Sequence, residues 1–249
     1  MGAVRVEVGC ELLGTCDDGL THYVLGEAGA PAPFHPAIAA YAANALTWFP
    51  EAGFGYFEVQ GAPYDAAYFA RYREQAETPI GRSLMAARVQ LVRRHVGDIA
   101  LAQGPVLDVG IGSGAFVEAC WAEGIAACGF DVNPAGVAWL QRNSAFAPLY
   151  TGRRYPVLTF WDSLEHIREP QLALAACGGW AFVALPIFRD AEHVLASKHY
   201  RRDEHYWYFT RDGFRRFAQA EGFDVVDIVA TETALGREDI ETFVLRRNR

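Results

Sequence analysis

The stretch Asp108-Val109-Gly110-Ile111-Gly112-Ser113-Gly114 sets three alternate glycines between a short apolar run, PVLDV, and an apolar-periodic run, GAFVEACWAEG. A buried strand followed by a sharp turn and a helix is the arrangement this pattern predicts. Glycine is needed where a chain must turn tightly and let a ligand approach its backbone, and the helix that follows points free N–H groups at the bound group. Downstream, strand-like and helix-like segments alternate: AACGFDV, then PAGVAWLQRN with Pro134 suited to a first helical turn, then the apolar strands YPVLTFW and WAFVALP. TRDGFRRFAQAEG predicts a helix capped by Thr210 and stopped at Gly222, and FDVVDIVA and ETFVLRR predict an antiparallel pair closing the sheet. The third βα unit is abbreviated to little more than APLY. The expected fold is α/β, a sheet with helices on both faces.

The segment before this core reads differently. VRVEV and THYVL alternate as hairpin strands with Asp18-Gly19 as a turn, Gly26 to Pro36 is dense in Pro, Gly and Ala, and Pro63 to His95 is helical with Tyr64, Tyr68 and Tyr72 at four-residue spacing. A face of tyrosines is equally well a packed surface or the wall of a pocket.

Three bulk properties narrow the function. The formal charge of −8, from 30 acidic and 22 basic residues, repels a phosphate backbone and disfavours nucleic acid as a partner without excluding a local basic patch. The five cysteines (Cys10, Cys16, Cys120, Cys128, Cys177) are odd in number and sit in apolar surroundings, so a disulfide framework is not expected. No apolar run approaches the ~20 residues of a membrane span, and the N-terminal residues lack a signal-peptide layout, so a cytoplasmic location is expected. Nothing in the sequence speaks to oligomeric state.

Gly110, Gly112 and Ala115 also satisfy the dinucleotide spacing, so a nicotinamide oxidoreductase shares the loop. Asp131, which ends the second strand about twenty residues beyond the loop, can accept hydrogen bonds from two ribose hydroxyls of either cofactor, with Val132 beside it. Asp108 two residues before the first glycine, with Gly114 as the third, makes DxGxGxG, which resembles motif I of class I S-adenosylmethionine-dependent methyltransferases. Trp161-Asp162-Ser163-Leu164-Glu165-His166 after the next long strand resembles the DxLEH motif of members acting on small molecules, and HYWYFT resembles their HxxxFT stretch.

The resemblance runs over about residues 80 to 247 and implies a Rossmann-like three-layer sandwich. Its sheet would be of the seven-strand type, mostly parallel, with an antiparallel C-terminal strand and an N-terminal cap. Residues 1–78 would form the cap or lid and 79–249 the methyltransferase domain. The implied cofactor is S-adenosylmethionine, held by Asp108, Gly110, Gly112, Gly114, Asp131, Val132, Trp161, Asp162 and Ser163. The implied reaction methylates O, N or C of a small or medium-sized acceptor. A nucleic-acid amino-methyltransferase would carry a DPPY-like tetrapeptide where WDSL stands. No cysteine follows a proline, so the cytosine-C5 nucleophile is also missing. A non-catalytic subunit that only binds cofactor stays open, because fold alone does not establish activity.

Candidate residues beyond the cofactor loop are less constrained. His166, just past a strand's carboxyl end, is a candidate general base, with a loop-bracing histidine as the plain alternative. Tyr68, His199, His205 and Tyr208 are candidates for an acceptor pocket, Leu149 and Tyr150 for adenine contacts, and Arg82 or Arg88 for the cofactor carboxylate. His193, His199 and His205 recur every six residues, a spacing that matches no metal motif, and Cys10, Cys16, His22 and His35 lack zinc spacing, so no metal is expected.

Overall fold

The computed structural model describes residues 3–6, 12–16, 46–59, 61 and 64–248. Its larger sheet has six strands in the order β10-β11-β8-β7-β5-β6. These are β5 (Val106–Val109), β6 (Ala127–Phe130), β7 (Tyr155–Trp161), β8 (Cys177–Pro186), β10 (Phe223–Val229) and β11 (Ile240–Arg247). β6, β5, β7 and β8 are parallel, and β11 runs antiparallel to both its neighbours, β8 and β10. The expected closing pair is therefore present.

Period-two alternation distributes the apolar side chains over two faces. Val106, Val157, Phe182 and Val244 pack with Val89, Val92, Phe116 and Cys120, whereas Leu107, Leu158, Val183 and Phe243 pack with Phe214, Phe217 and Leu174. The first face is covered by α2 (Pro79–Val96) and α4 (Ala115–Ala122), the second by α8 (Arg211–Ala220) and α6 (Pro170–Leu174). With α5 (Pro134–Arg142) beside the β6 edge, this is the three-layer α/β sandwich expected. The remaining helices are α1 (Ala66–Glu77) and the short α3 (Asp98–Leu101), α7 (Ala191–Ala196) and α9 (Thr231–Ala234).

The helix boundaries follow local chemistry. Thr78 ends α1 and caps α2 by accepting from Gly81 N at 3.0 Å, with Pro79 in the first turn. Thr210 caps α8 through Gly213 N at 2.9 Å. The abbreviated third unit makes no strand: beside β6 the chain forms one parallel bridge, Gly129 to Phe146, and Pro148 then has no N–H to extend it.

A second sheet, in the order β2-β1-β3-β4-β9, contains β1 (Ala3–Val6), β2 (Leu12–Cys16), β3 (Leu46–Phe49), β4 (Phe54–Tyr56) and β9 (Trp207–Phe209). Both edges of β1 are occupied, by β2 and β3. Thr21–Leu25, the Asp18-Gly19 turn and the Gly26–Pro36 stretch lie outside the described residues. The HYWYFT stretch contributes a strand to this sheet. Trp207–Phe209 is a strand paired with β4, and Phe188 N donates to Phe209 O at 2.9 Å, tying this sheet to the end of β8.

Candidate functional site

The glycine loop leaves β5 with three successive alternate glycines in the left-handed region, Gly110 at φ +74°, Gly112 at +56° and Gly114 at +79°. At Gly110 an added Cβ would stand 2.6 Å from Ser163 Cβ, so the loop and the turn after β7 are pressed together. Ser163 Oγ completes that junction by donating to Val109 O at 2.6 Å. Gly112 is the opposite case: the nearest atom to its absent Cβ is Tyr72 Cδ1 at 3.9 Å, and bare backbone faces open space.

That space is a cavity of about 610 Å³ along the carboxyl ends of β5, β6 and β7. Open α/β sheets bind ligands at this position. Of the cofactor residues expected, Asp108, Gly110, Gly112, Asp131, Val132, Trp161, Asp162 and Ser163 line it, as does Tyr150, whereas Gly114 and Leu149 are not among its lining residues. Gly114 sits at the cap of α4 with Trp139 against it.

The two acids beside the loop differ. Asp108 is buried beneath it and accepts from Thr159 Oγ1 at 2.7 Å; burial pushes its carboxyl up to about 7. Asp131, at the end of β6, is also raised by burial, opposed by backbone N–H groups of Asn133, Val132, Gly112 and Ile111. Asp131 thus belongs to the loop's own hydrogen-bond ring, with Val132 exposed beside it.

Asp162, which lines the cavity, is engaged by two arginines. Arg88 reaches it at 3.1 Å and Arg237 at 2.8 Å, and both also bind Glu232. Although burial raises Asp162, Arg237 and Arg88 hold it below the usual carboxylate range. The network fastens α2, the end of β7 and the α9–β11 connection around the cavity. Arg88 and Arg237 line the cavity, while Arg82 bonds Glu77 O on the surface.

The other wall is aromatic. Tyr64, Tyr68 and Tyr72 all line the cavity; Tyr68 Oη donates to Tyr72 Oη at 3.2 Å. Two bonds hold α1 in place over the loop: Arg73 donates to Ser113 O at 3.2 Å, and Asn133 Nδ2 to Asp65 O at 3.0 Å. His166 closes this wall, its Nδ1 standing 2.8 Å from Tyr64 Oη, and burial lowers its pKa to about 4.

The remaining pocket candidates lie elsewhere. Tyr208 is fully buried on the opposite side of β9, among Phe188, Leu46 and Trp48, because strand alternation turns it from the cavity. His199 donates from Nε2 to Glu238 O at 2.9 Å, and His193 lies 3.5 Å from Asp239. His205 alone of the three evenly spaced histidines approaches the site, from behind His166, with ring centroids 4.5 Å apart. Cys10, His22 and His35 lie outside the described residues. The sequence did not single out Arg237 or Glu232, which enter through long-range packing and stand in no motif, and Tyr206, although inside HYWYFT, was not among the candidates.

A family model described as a methyltransferase domain matches residues 72–228. No curated protein is significantly similar to the sequence. Among solved structures, magnesium protoporphyrin IX methyltransferase from Synechocystis, with bound S-adenosylhomocysteine, superposes at a TM-score of 0.53 and 15% identity, over 74% of this chain and 95% of that one. The 1,6-didemethyltoxoflavin-N1-methyltransferase of Burkholderia thailandensis reaches a TM-score of 0.51 at 15% identity, covering 81% and 99%. An S-adenosylmethionine-dependent methyltransferase from Clostridium acetobutylicum reaches 0.54 at 11% identity, covering 73% and 99%. At such identities these likenesses speak for the fold.

Proposed function

Because the chain belongs to the methyltransferase-domain family, we propose that it transfers a methyl group from S-adenosylmethionine to O, N or C of a small or medium-sized acceptor, leaving S-adenosylhomocysteine. The observation that carries this reading is one continuous cavity running from bare backbone at Gly112, past Asp131 and the arginines, to the Tyr64–Tyr68–His166 wall. S-adenosylmethionine, when bound, supplies a methyl group made electrophilic by a sulfonium. The residues present suit such a ligand: open space stands where a Cβ at Gly112 would project, a carboxylate ends β6, and two guanidiniums line the same cavity.

In this reading Asp131 accepts from the ribose hydroxyls, Val132 and Tyr150 flank the adenine, and Arg88 and Arg237 face the carboxylate end. Asp108, Trp161, Asp162 and Ser163 act by holding the loop and the turn after β7 in register. Tyr64, Tyr68 and Tyr72 form the acceptor side and exclude water, which direct displacement requires. His166 is the candidate base. It is neutral at pH 7 and weakly basic, which suits an acceptor whose proton becomes acidic only as the new bond to carbon forms.

The division into a cap (1–78) and a catalytic domain (79–249) is kept as part of this proposal, with Trp207–Phe209 contributed to the cap's sheet. Among the described residues no helix is long and apolar enough to cross a membrane. The free thiols of Cys120, Cys128 and Cys177 support a reducing, cytoplasmic setting.

Calorimetric titration with S-adenosylmethionine, S-adenosylhomocysteine and NADH tests the reading. The first two should bind, and Asp131→Ala should weaken both by at least about tenfold, the loss of a charge-assisted hydrogen bond. Binding of NADH alone would overturn the proposal in favour of an oxidoreductase.

A further inference from the structure

Behind the tyrosine wall lies a group of buried polar atoms that methyl transfer does not use. Glu165, in the 3-10 turn Leu164–His166 that follows β7, is 1% exposed, and among the described residues its carboxylate oxygens have no side-chain partner and nothing beyond a contact with its own backbone N–H. His205 is 4% exposed, and its Nδ1 is likewise without a partner, while the backbone of His199 hydrogen-bonds its ring. Buried polar groups are almost always satisfied, so two idle side chains facing one point call for a missing partner. His166 completes the group: one ligating atom from each of Glu165, His166 and His205 lies within 4.8 Å of the others. The frame is fixed across the chain, because Tyr206 N donates to Glu165 O at 2.9 Å and so locks the approach to β9 onto the turn after β7.

We propose that Glu165, His166 and His205 bind a divalent transition-metal ion of the zinc class. One carboxylate and two imidazoles are a recurrent donor set for such ions, with a coordination position left open. Donor atoms on a tetrahedral ion, at roughly 2.1 Å from it, stand about 3.4 Å apart. The ligating atoms here, within 4.8 Å of one another, would close by about 1.4 Å on binding the ion. The bond from the His199 backbone to the His205 ring is the outer support that metal-binding histidines carry, and the Tyr64 hydroxyl is its counterpart on His166.

Arg201 and Arg237, the nearby cations, are offset by Glu204, Asp162 and Glu232. Because His166 lines the cavity, the open position would lie at the acceptor wall. There, and here the inference rests on the methyl-transfer reading, the ion would acidify an acceptor hydroxyl, with His166 acting as ligand in place of base. Metal binding itself does not depend on that reading.

The test uses the tag-free full chain, stripped with a chelator and titrated with Zn²⁺, with Co²⁺ as a spectroscopic probe and Mg²⁺ as a control. One equivalent of Zn²⁺ should bind, Mg²⁺ should not compete, and Co²⁺ should give visible bands of a nitrogen- and oxygen-ligated site. Glu165→Gln and His205→Ala should each weaken Zn²⁺ by at least about a hundredfold, as expected for the loss of one of three ligands. Should the variants misfold, X-ray absorption of the wild-type Zn²⁺ complex decides, two imidazoles without sulfur supporting the site and sulfur ligation overturning it. Failure of the wild type to take up stoichiometric Zn²⁺, or unchanged affinity in folded variants, also overturns it. A parallel titration with S-adenosylhomocysteine keeps the inferences apart: that ligand binding without Zn²⁺ sinks the metal site alone, and Zn²⁺ binding without it sinks the methyl-transfer reading alone.

Discussion

Replacing Asp108 with asparagine should flatten a pH dependence built into the floor of the glycine loop. Asp108 is buried, accepts from Thr159 Oγ1 at 2.7 Å, and has its carboxyl pushed up from 3.8 to about 7, first by burial and against the pull of Thr159 and Arg88. Between those values the folded chain keeps a proton that the unfolded chain has released. Its contribution to stability is therefore full at low pH, declines as pH rises through the interval, and is gone above about 7. A shift of about three units corresponds to roughly 4 kcal/mol, an upper bound once local relaxation is allowed for. Asparagine retains an oxygen for Thr159 and has no proton to lose. Urea unfolding of the ligand-free proteins at pH 4.5 and pH 8 should thus show the variant gaining on the wild type by up to about 3 kcal/mol, the part of the interval above pH 4.5, or on the order of 10 °C in Tm. A wild-type-minus-variant difference that stays constant with pH would refute a proton held at Asp108.

Other consequences are equally direct. Gly110→Ala forces a left-handed residue and a methyl 2.6 Å from Ser163 Cβ, so it should cost at least about 1–2 kcal/mol in thermal unfolding and weaken S-adenosylhomocysteine in calorimetry. Arg88→Met leaves Glu232 and Asp162 buried with one cation fewer, which should cost about 3–5 kcal/mol in urea unfolding, and Arg88→Met/Glu232→Met should recover part of that loss. The His166 ring, with its pKa lowered to about 4, should keep the NMR shifts of a neutral imidazole from pH 8 to about 5 in the metal-free protein; a midpoint near 6.5 would show that it is solvated.

The parts of this fold legible in the sequence are those decided within a few residues of each other. Thr210 and Gly222 start and stop a helix through their own side chain or φ, and the structure has them in those roles, whereas the stretch from Pro63 to His95, expected to be helical throughout, is broken at Thr78 into two helices. The run from PVLDV through GAFVEACWAEG reads as strand, turn and helix because each piece carries its own periodicity, and β5 and α4 lie there. Trp207–Phe209 was illegible for the opposite reason. Three consecutive aromatics show no alternation, and their strand partner, Phe54–Tyr56, lies about 150 residues earlier in the chain. With that strand unseen, Tyr208 was a pocket candidate, and His205 was grouped with His193 and His199 by spacing alone.

The same distinction separates the two halves of the site. A glycine at position 110 is required by its own backbone angle and by one neighbouring turn, so its role shows in a heptapeptide. The roles of charged and imidazole groups are set by what the fold brings opposite them: Arg88 acquires Glu232 from 144 residues away, and Tyr64 meets His166 across 102. Those partners decide whether Asp162 is free to bind a ligand or is tied up, and whether His166 is a surface histidine or a neutral, buried one. The glycine loop can therefore be read from sequence, while the opposite wall of the cavity, proposed to choose the acceptor, depends on pairings between the tyrosine helix, the turn after β7 and the approach to β9. Substitutions that alter acceptor choice without touching cofactor affinity are accordingly expected at Tyr64, Tyr68 and Tyr206 rather than in the glycine loop, since these side chains line the cavity away from Gly112 and hold none of its backbone.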